Sequence, residues 1–437
     1  MNLNTLKQVY RSPDLRRRVL VVLGLIVLFR FMAHVPVPVP DNAALSNFLR
    51  FIFNSNQVLG FADVFSGGAL SNFSIIMMGV GPYINASIIM QLLQQVIPKF
   101  EALSKEGEQG RKKLNQYTRL LTLPLALVQS FGMVFLIQQT SIRVANTDVI
   151  GHPNLFQWAL MISTITAGTI LLMWIGEIIT EKGIGNGVSL IIFGGIIAGL
   201  PASAGQFLSL ASGDAGKIIT LIGFLAATLA IIAFVVILNE GTRNIPVSYA
   251  KRTRGNRVFA GVDTHLPLRV ITAGVIPIIF ALAFLSIPGL VGQLLASAKT
   301  PWVASFATNL TTWFSPNGAI YAVSYFVLVV AFTYFYTSVV FNHKDIAENL
   351  QKQGGFIPGI RPGNQTASYL RRVINRITLA GAVGLGFIAV LPFIAQGFTN
   401  SQVLTFGGTG LLIVVSVAIE TLKQLEAQAI TTSYEQY

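Results

Sequence analysis

An all-α polytopic membrane protein with ten transmembrane helices is the fold class this sequence predicts, on three observations. The composition is 53% hydrophobic and only 11% charged, where a soluble domain carries about 25% charged residues. Apolar stretches near the ~20 residues that cross a bilayer as a helix recur ten times, at 19–35, 73–97, 120–138, 155–176, 188–200, 218–238, 270–288, 319–341, 377–395 and 403–419. Lys and Arg are segregated. With ten spans both termini lie on one side, and the segments there (1–18, 97–119, 177–186, 239–269, 342–376 and 420–437) hold 25 of the 30 basic residues. The positive-inside rule makes that side the cytoplasm. The formal charge of +13 is therefore mostly a record of topology, not by default a nucleic-acid signal.

The first span carries Arg30 about a turn and a half before Pro36, Pro38 and Pro40 end it, and snorkelling to the interface accounts for that charge. The stretch 59–97 comes next, and the rest of the chain is arranged around it. Its part 73–97 has 25 residues without a charge and crosses as a helix. Pro82, after Gly79-x-Gly81, invites a kink there. Val80 and Ile84 stand four apart on one helix face. Asn85, Ser87, Gln91, Gln94 and Gln95 put polar groups in the same span, to meet other helices or an aqueous cavity. The part before it, 61–70, is apolar, too short to cross, and broken by Gly67-Gly68. Two readings stand for it: a re-entrant segment buried in a protein cavity, or a loop lying on the headgroups.

Loop 97–119 has the mixed charge of a solvated hairpin, and Trp158 and Trp174 stand towards opposite ends of the fourth span, as interface anchors do. The glycine-rich EKGIGNG (181–187) lacks the Lys-Ser/Thr of a phosphate loop and reads as a tight turn. The fifth span has only 13 residues, about 20 Å of helix against a ~30 Å core. In it Val188 and Ile192 again stand four apart. Loop 239–269 is long for a connection and reads as two short strands (247–250 and 258–261) around Arg254-Gly255-Asn256, displaying Arg243, Lys251, Arg252, Arg254 and Arg257. Loop 342–376 ends in a Pro- and Gly-fixed turn around Arg361. Together these loops read as a docking surface for an anionic or ribonucleoprotein partner, with a topological anchor touching lipid headgroups as the plainer alternative. Gly274-Val275-Ile276-Pro277 falls mid-helix in span seven, Gly407 to Gly410 leave the start of span ten loose or unwound, and the tail after Glu420 reads as frayed.

The chain has no cysteine, so disulfides and thiolate ligands are excluded, and His34, His152, His265 and His343 are too scattered for a metal site. The N-terminus leads into the first span without a small-residue cleavage site, so no cleaved signal peptide is expected. No cofactor is expected.

Several stretches in order, FSGGALSNFSI, GPYINASIIMQLL, KEGEQGRKKLNQYTR, GIGNGVSLIIF, IPVSYAKR, HLPLRV, AGVIPIIF, NLQKQGGFIPGIRPG and FGGTGLLIVV, resemble the SecY family of bacterial protein-conducting channels. The resemblance implies a clamshell of two pseudo-symmetric, inverted five-helix halves, 1–200 and 201–437. It implies that 61–70 (Phe61, Phe65, Ser66, Gly67, Gly68, Ala69 and Leu70 among them) is a plug helix, which favours the re-entrant reading. It implies a hydrophobic pore ring of Val80, Ile84, Val188, Ile192, Ile279 and Ile413, which seals a narrow constriction by dewetting. Two of the six are Val where well-known bacterial members carry Ile, so a slightly wider ring is expected. Spans two and seven would be lips of a lateral gate, with Pro82, Ser87, Gln91 and Pro277 on helices that separate reversibly. Arg361 and the basic residues of 239–269 would meet the motor ATPase SecA and the ribosome, with Asn244 standing where many relatives carry a second basic residue. The other implied partners are the small subunits SecE and SecG, signal sequences, nascent polypeptides and membrane lipids.

The competing class is a secondary transporter of small solutes, which also uses inverted repeats and broken helices. Coupled transporters hold Asp, Glu or His inside the bundle. Here the spans offer almost none: Glu177 lies near one end of span four, and Glu240 and Glu420 flank spans. No Ser-His pair, carboxylate pair or ATP-binding loop points to an enzyme.

Overall fold

The computed structural model describes residues 12–39, 45–49, 52, 63, 66–145, 150–151, 153–211, 215–249, 252–254, 257–259, 263–271, 274–295, 300–315, 318–399 and 402–435. Helices dominate, because long apolar stretches can satisfy every backbone N–H and C=O internally only as helices. Ten of them correspond in order to the ten spans: α1 (Pro13–Met32), α2 (Gly81–Val96), α4 (Glu108–Ala145), α5 (Leu155–Lys182), α6 (Gly187–Ala211), α7 (Ala215–Glu240), α8 (Ile276–Leu295), α10 (Ala319–Val340), α12 (Asn364–Thr399) and α13 (Gln402–Glu435). Between them lie α3 (Pro98–Lys105), α9 (Pro301–Trp313) and α11 (His343–Lys352). Large apolar side chains on the outside, Leu20, Val27, Phe31, Val128 and Val323 among them, are exposed, as lipid-facing helices require.

Packing divides the helices into two groups of five. In the first, α2 packs on α4, α4 on α5, and α5 on α6 and α1; in the second, α8 packs on α10, α10 on α12, α12 on α13, and α13 on α7. The groups meet along two seams: α6 with α7 and α13 on one side, and α2 and α4 with α8 on the other.

On the basic side, β1 (Thr242–Tyr249) pairs antiparallel with β4 (Asp263–Arg269), and β2 (Arg252–Arg254) with β3 (Arg257–Phe259). The hairpin is thus longer than its sequence suggests, with Val247 opposite Thr264 and Val258 opposite Thr253. β1 also pairs with β5 (Gly355–Phe356), through Ser248 and Phe356. The two basic loops therefore form one body, with its own core of Ile245, Val247, Leu268, Ala347, Ile357, Leu370 and Val373.

Several expectations are corrected. The fifth span is not 13 residues: α6 runs through Pro201 to Ala211. Gly407 to Gly410 are helical, and α13 continues beyond Glu420 to Glu435, so neither unwinding nor fraying is present there. The largest correction concerns 73–97, where the helix begins only at Gly81. Residues 67–80 instead form a run of turns, joined to the end of α1 through a bridge between Pro36 and Ser74.

Candidate functional site: a buried turn segment over an apolar constriction

The turn segment is held by its own polar groups, since an unpaired backbone group in an apolar interior costs several kcal/mol. The Gly68 amide donates to the Asp63 carbonyl at 2.9 Å, the Ser71 amide to Asp63 Oδ1 at 2.8 Å, the Leu70 amide to Ser66 Oγ at 3.2 Å, and the Ser74 amide to the Ala69 carbonyl at 2.9 Å. Its far end is tied to α1 and the residues after it. The Val37 amide donates to the Phe73 carbonyl at 2.9 Å, the Ile75 amide to the Val35 carbonyl at 3.0 Å, and Ser74 Oγ to the Met32 carbonyl at 2.8 Å. Phe73 holds φ at 45° with its ring buried, a conformation a bulky residue adopts only when its surroundings impose it.

Ser66, Ala69, Leu70, Phe73, Ser74, Ile76 and Met77 are all buried. That places 66–77 inside the bundle, so the headgroup-loop reading fails for these residues. Of the plug assignment, Ser66 is helical while Gly67, Gly68, Ala69 and Leu70 are in turns, so this part is not the helix expected. Phe61 and Phe65 lie outside the described residues. The segment faces two cores at once. Leu70, Phe73 and Met77 enter a cluster with Met133, Ile137 and Ile165, while Ala69, Ile76 and Val80 enter the central one.

The ring residues meet in that central cluster. Val80, Ile84, Ile192, Ile279 and Ile413 are buried in it, and the partly buried Val188 packs against it. They come from the start of α2, the first turns of α6 and α8, and the middle of α13. The i, i+4 pairs 80/84 and 188/192 thus each turn one face into the same cluster. Sequence reasoning missed Val275, which is 2% exposed and lies in the same cluster. The signal was a repeated tetrapeptide. Gly79-Val80-Gly81-Pro82 and Gly274-Val275-Ile276-Pro277 both carry G-V-x-P, each Gly at positive φ (57° and 59°), each followed four residues after its Val by an isoleucine, Ile84 or Ile279.

The repeat also corrects the role read for the prolines. Pro82 and Pro277 do not kink helices in mid-course; each stands in the first turn of one, α2 or α8. Proline is favoured there because its missing N–H has no intrahelical acceptor to lose. Further along α2, Gln91 Nε2 donates to Ser87 Oγ at 3.1 Å, while the buried Gln91 Oε1 finds no protein partner.

Arg30 does not snorkel. Its guanidinium turns inward and donates to the carbonyl of Gly67. Two of the three acidic residues near span ends are tied as well: Glu177 pairs with Arg119 at 2.7 Å, linking α5 to α4, and Glu240 pairs with Lys423 at 2.9 Å, linking α7 to α13. Among the described residues no cluster of His, Asp and Glu could hold a metal.

On the joined basic body, Arg243 and Arg361 are exposed, and the Thr366 hydroxyl donates to the Arg361 carbonyl at 2.9 Å to fix its turn. Arg252, Arg254 and Arg257 are on the β2–β3 ladder, with Arg254 opposite Arg257; Lys251 lies outside the described residues. Partial burial, then the nearby Arg371 and Lys344, hold the His343 imidazole below its ordinary value, so it adds no charge at neutral pH.

A ten-span bundle in two groups, with a buried aliphatic cluster reached by helices of both and a buried turn segment of its own chain packed on that cluster, has the architecture of a polytopic membrane channel. The SecY family model matches residues 74–422. The chain is 42% identical over 437 residues to the protein translocase subunit SecY of Streptomyces galbus, covering 99% of each. It is similar in fold to the structure described as that of a protein conducting channel (TM-score 0.64, 20% identity, covering 95% of this chain and 92% of that one). It is also similar to one described by the role of the SecY plug domain in stabilising the closed state (TM-score 0.66, 20% identity, with the same coverage). The chain belongs to the SecY family, whose members are multi-pass proteins of the cytoplasmic membrane.

Proposed function

We propose that this chain moves unfolded polypeptides across the cytoplasmic membrane through the constriction of Val80, Ile84, Val188, Ile192, Ile279 and Ile413, to which Val275 is added. Membrane segments leave sideways between α2 and α8. The single observation that supports the reading is that these aliphatic side chains, from four separate helices, share one buried cluster with Ala69 and Ile76 of the turn segment. A narrow aliphatic constriction excludes water and ions yet yields to a passing chain. The five-helix halves open about the seam of α6 with α7 and α13, and since α6 runs past residue 200, their boundary is best drawn after Ala211. Segment 61–70 is the plug. Both termini face the cytoplasm. The chain performs no catalysis: its energy comes from partners or the membrane potential. The solute-transporter reading is disfavoured because carboxylates near the spans are few, and two of the three, Glu177 and Glu240, pair with Arg119 and Lys423.

The cysteine-free chain permits a direct test. A single cysteine at Ile84 cross-links oxidatively to a cysteine in a secretory chain stalled part-way through export, and only when the stalled chain is present. No cross-link, with export running and the protein inserted, would return the solute transporter to first place.

The joined basic body docks the motor ATPase SecA and the ribosome, while SecE and SecG bind within the membrane. Arg254 and Arg257 stand opposite each other on their ladder. Arg361→Glu is expected to reduce SecA-driven export about tenfold, the cost of turning one charge-assisted contact into a repulsion. Membrane insertion of the protein itself stays normal. Export at the parent rate would remove this role for Arg361.

A further inference from the structure

We infer that Arg30 is the latch that holds the plug shut, an inference that rests on reading 61–70 as a plug. The turn segment is attached to the rest of the molecule in two unlike ways. Its C-terminal end is fixed: two backbone hydrogen bonds, from Val37 to Phe73 and from Ile75 to Val35, and the Ser74 hydroxyl on the Met32 carbonyl bind it to the end of α1. At its tip, the guanidinium of Arg30 on α1 donates to the Gly67 carbonyl. Asp63 also braces the segment internally by accepting from the Gly68 and Ser71 amides, so that the turn from Gly68 to Ser71 moves with Asp63. The geometry is that of a hinge at 73–75 and a catch at 67.

The catch is anchored at its own root. The last turn of α1 carries Arg30, whose carbonyl is met by His34 Nδ1 at 2.8 Å. Phe29 is wholly buried beside it, and its ring, Gly195 of α6 and the Arg30 guanidinium together crowd the place a Cβ on Gly67 would take. A half-buried charge among apolar spans is costly unless it is paired, and among the described residues no carboxylate pairs with Arg30. The Gly67 carbonyl gives the guanidinium its acceptor only while the tip is seated. The charge therefore favours the closed position, and when the tip leaves, Arg30 faces the vacated space and water.

The test uses the full chain with its small subunits in planar lipid bilayers, reading resting ion conductance without substrate. Arg30→Gln removes the charge at similar length and is expected to raise resting conductance about tenfold, the loss of one charge-assisted hydrogen bond; Arg30→Lys falls between it and the parent. In a background lacking 61–70, which itself leaks, Arg30→Gln adds nothing. If the deletion leaks and Arg30→Gln does not, the latch is overturned and the plug stands. If neither leaks, the plug reading falls and takes the latch with it. A double variant leaking well beyond the deletion would make Arg30 part of the pore wall and overturn the latch. Should Arg30→Gln fail to accumulate, Arg30→Lys decides. Labelling of a cysteine at Ala69 by an impermeant maleimide added from the extracytoplasmic side rises about threefold in a latch weakened by the shorter point charge; labelling equal to that of the Arg30 parent overturns the proposal.

Discussion

Replacing Gly67 with valine raises resting ion conductance by about two orders of magnitude, because two costs fall on one residue and both are relieved by unseating the plug. Gly67 holds φ at +69°, where an L side chain costs about 1–2 kcal/mol. A Cβ there would stand 2.9 Å from the Gly195 Cα, on the backbone of α6, and 3.2 Å from the buried Phe29 ring. Overpacking of that kind adds about 1–3 kcal/mol, and a helix backbone cannot swing aside. Gly68 provides the contrast. Its φ is +81°, but the nearest atom to its Cβ is Ser71 Oγ at 3.9 Å, so Gly68→Val bears only the conformational cost and leaks about tenfold less than Gly67→Val. Equal conductance in the two variants would show that contact with α6 does not seat the plug.

Gly168→Ala is expected to deplete the folded protein itself. Gly168 lies on α5 directly against the turn segment, and a methyl there would sit 2.0 Å from the Ile75 carbonyl oxygen and 2.7 Å from its carbon. Ile75 cannot retreat without breaking its hydrogen bond to Val35 and the packing of Ile76, which is wholly buried. We expect a loss of about 4 kcal/mol or more, the range in which a single change empties the native state. It would be seen as a sharply lower Tm and a lower yield of monodisperse protein in detergent. Gly199→Ala on α6, where no atom lies within 4 Å of the added carbon, should instead raise stability by about 0.5–1 kcal/mol. A Gly168→Ala protein with the parent Tm would mean that the turn segment does not pack as described.

Much of this was legible in the sequence because it depends on local pattern. Hydropathy and basic-residue counts place ten spans, and four-residue spacing picks out Val80 with Ile84 and Val188 with Ile192. That these pairs meet Ile279 and Ile413 was reached only through family resemblance, since no local spacing relates residues on separate helices. The unread parts fail for identifiable reasons. Residues 73–80 are as apolar as a helix, and hydropathy cannot distinguish a span from turns buried in protein; the distinction rests on Ser74 and Ile75 bonding back to α1. Snorkelling was the natural reading of Arg30 because its acceptor, the Gly67 carbonyl, is a backbone group 37 positions away. The union of the two basic loops depends on Ser248 finding Phe356, which neither loop discloses alone. Val275 was available: the repeated G-V-x-P stood in the sequence, but four residues carry too little information until matching glycine torsions give them weight.

The two prolines that start α2 and α8 have an electrical consequence. Each helix begins inside the bundle, at Gly81 and Ile276, with the positive end of its peptide dipoles next to Val80 and Val275 of the same aliphatic cluster. Each such end is equivalent to about half an elementary charge, in a medium of low permittivity where potentials decay slowly. A sodium ion or a proton approaching from either side therefore meets not only a dry constriction but a hill of positive potential. An extended peptide, whose backbone carbonyl dipoles can turn their negative ends to these positive ones, would lower the hill as it passes. The barrier to cations is thus steepest in an empty pore and relaxes under a polypeptide, so a membrane can keep its proton gradient while this protein works.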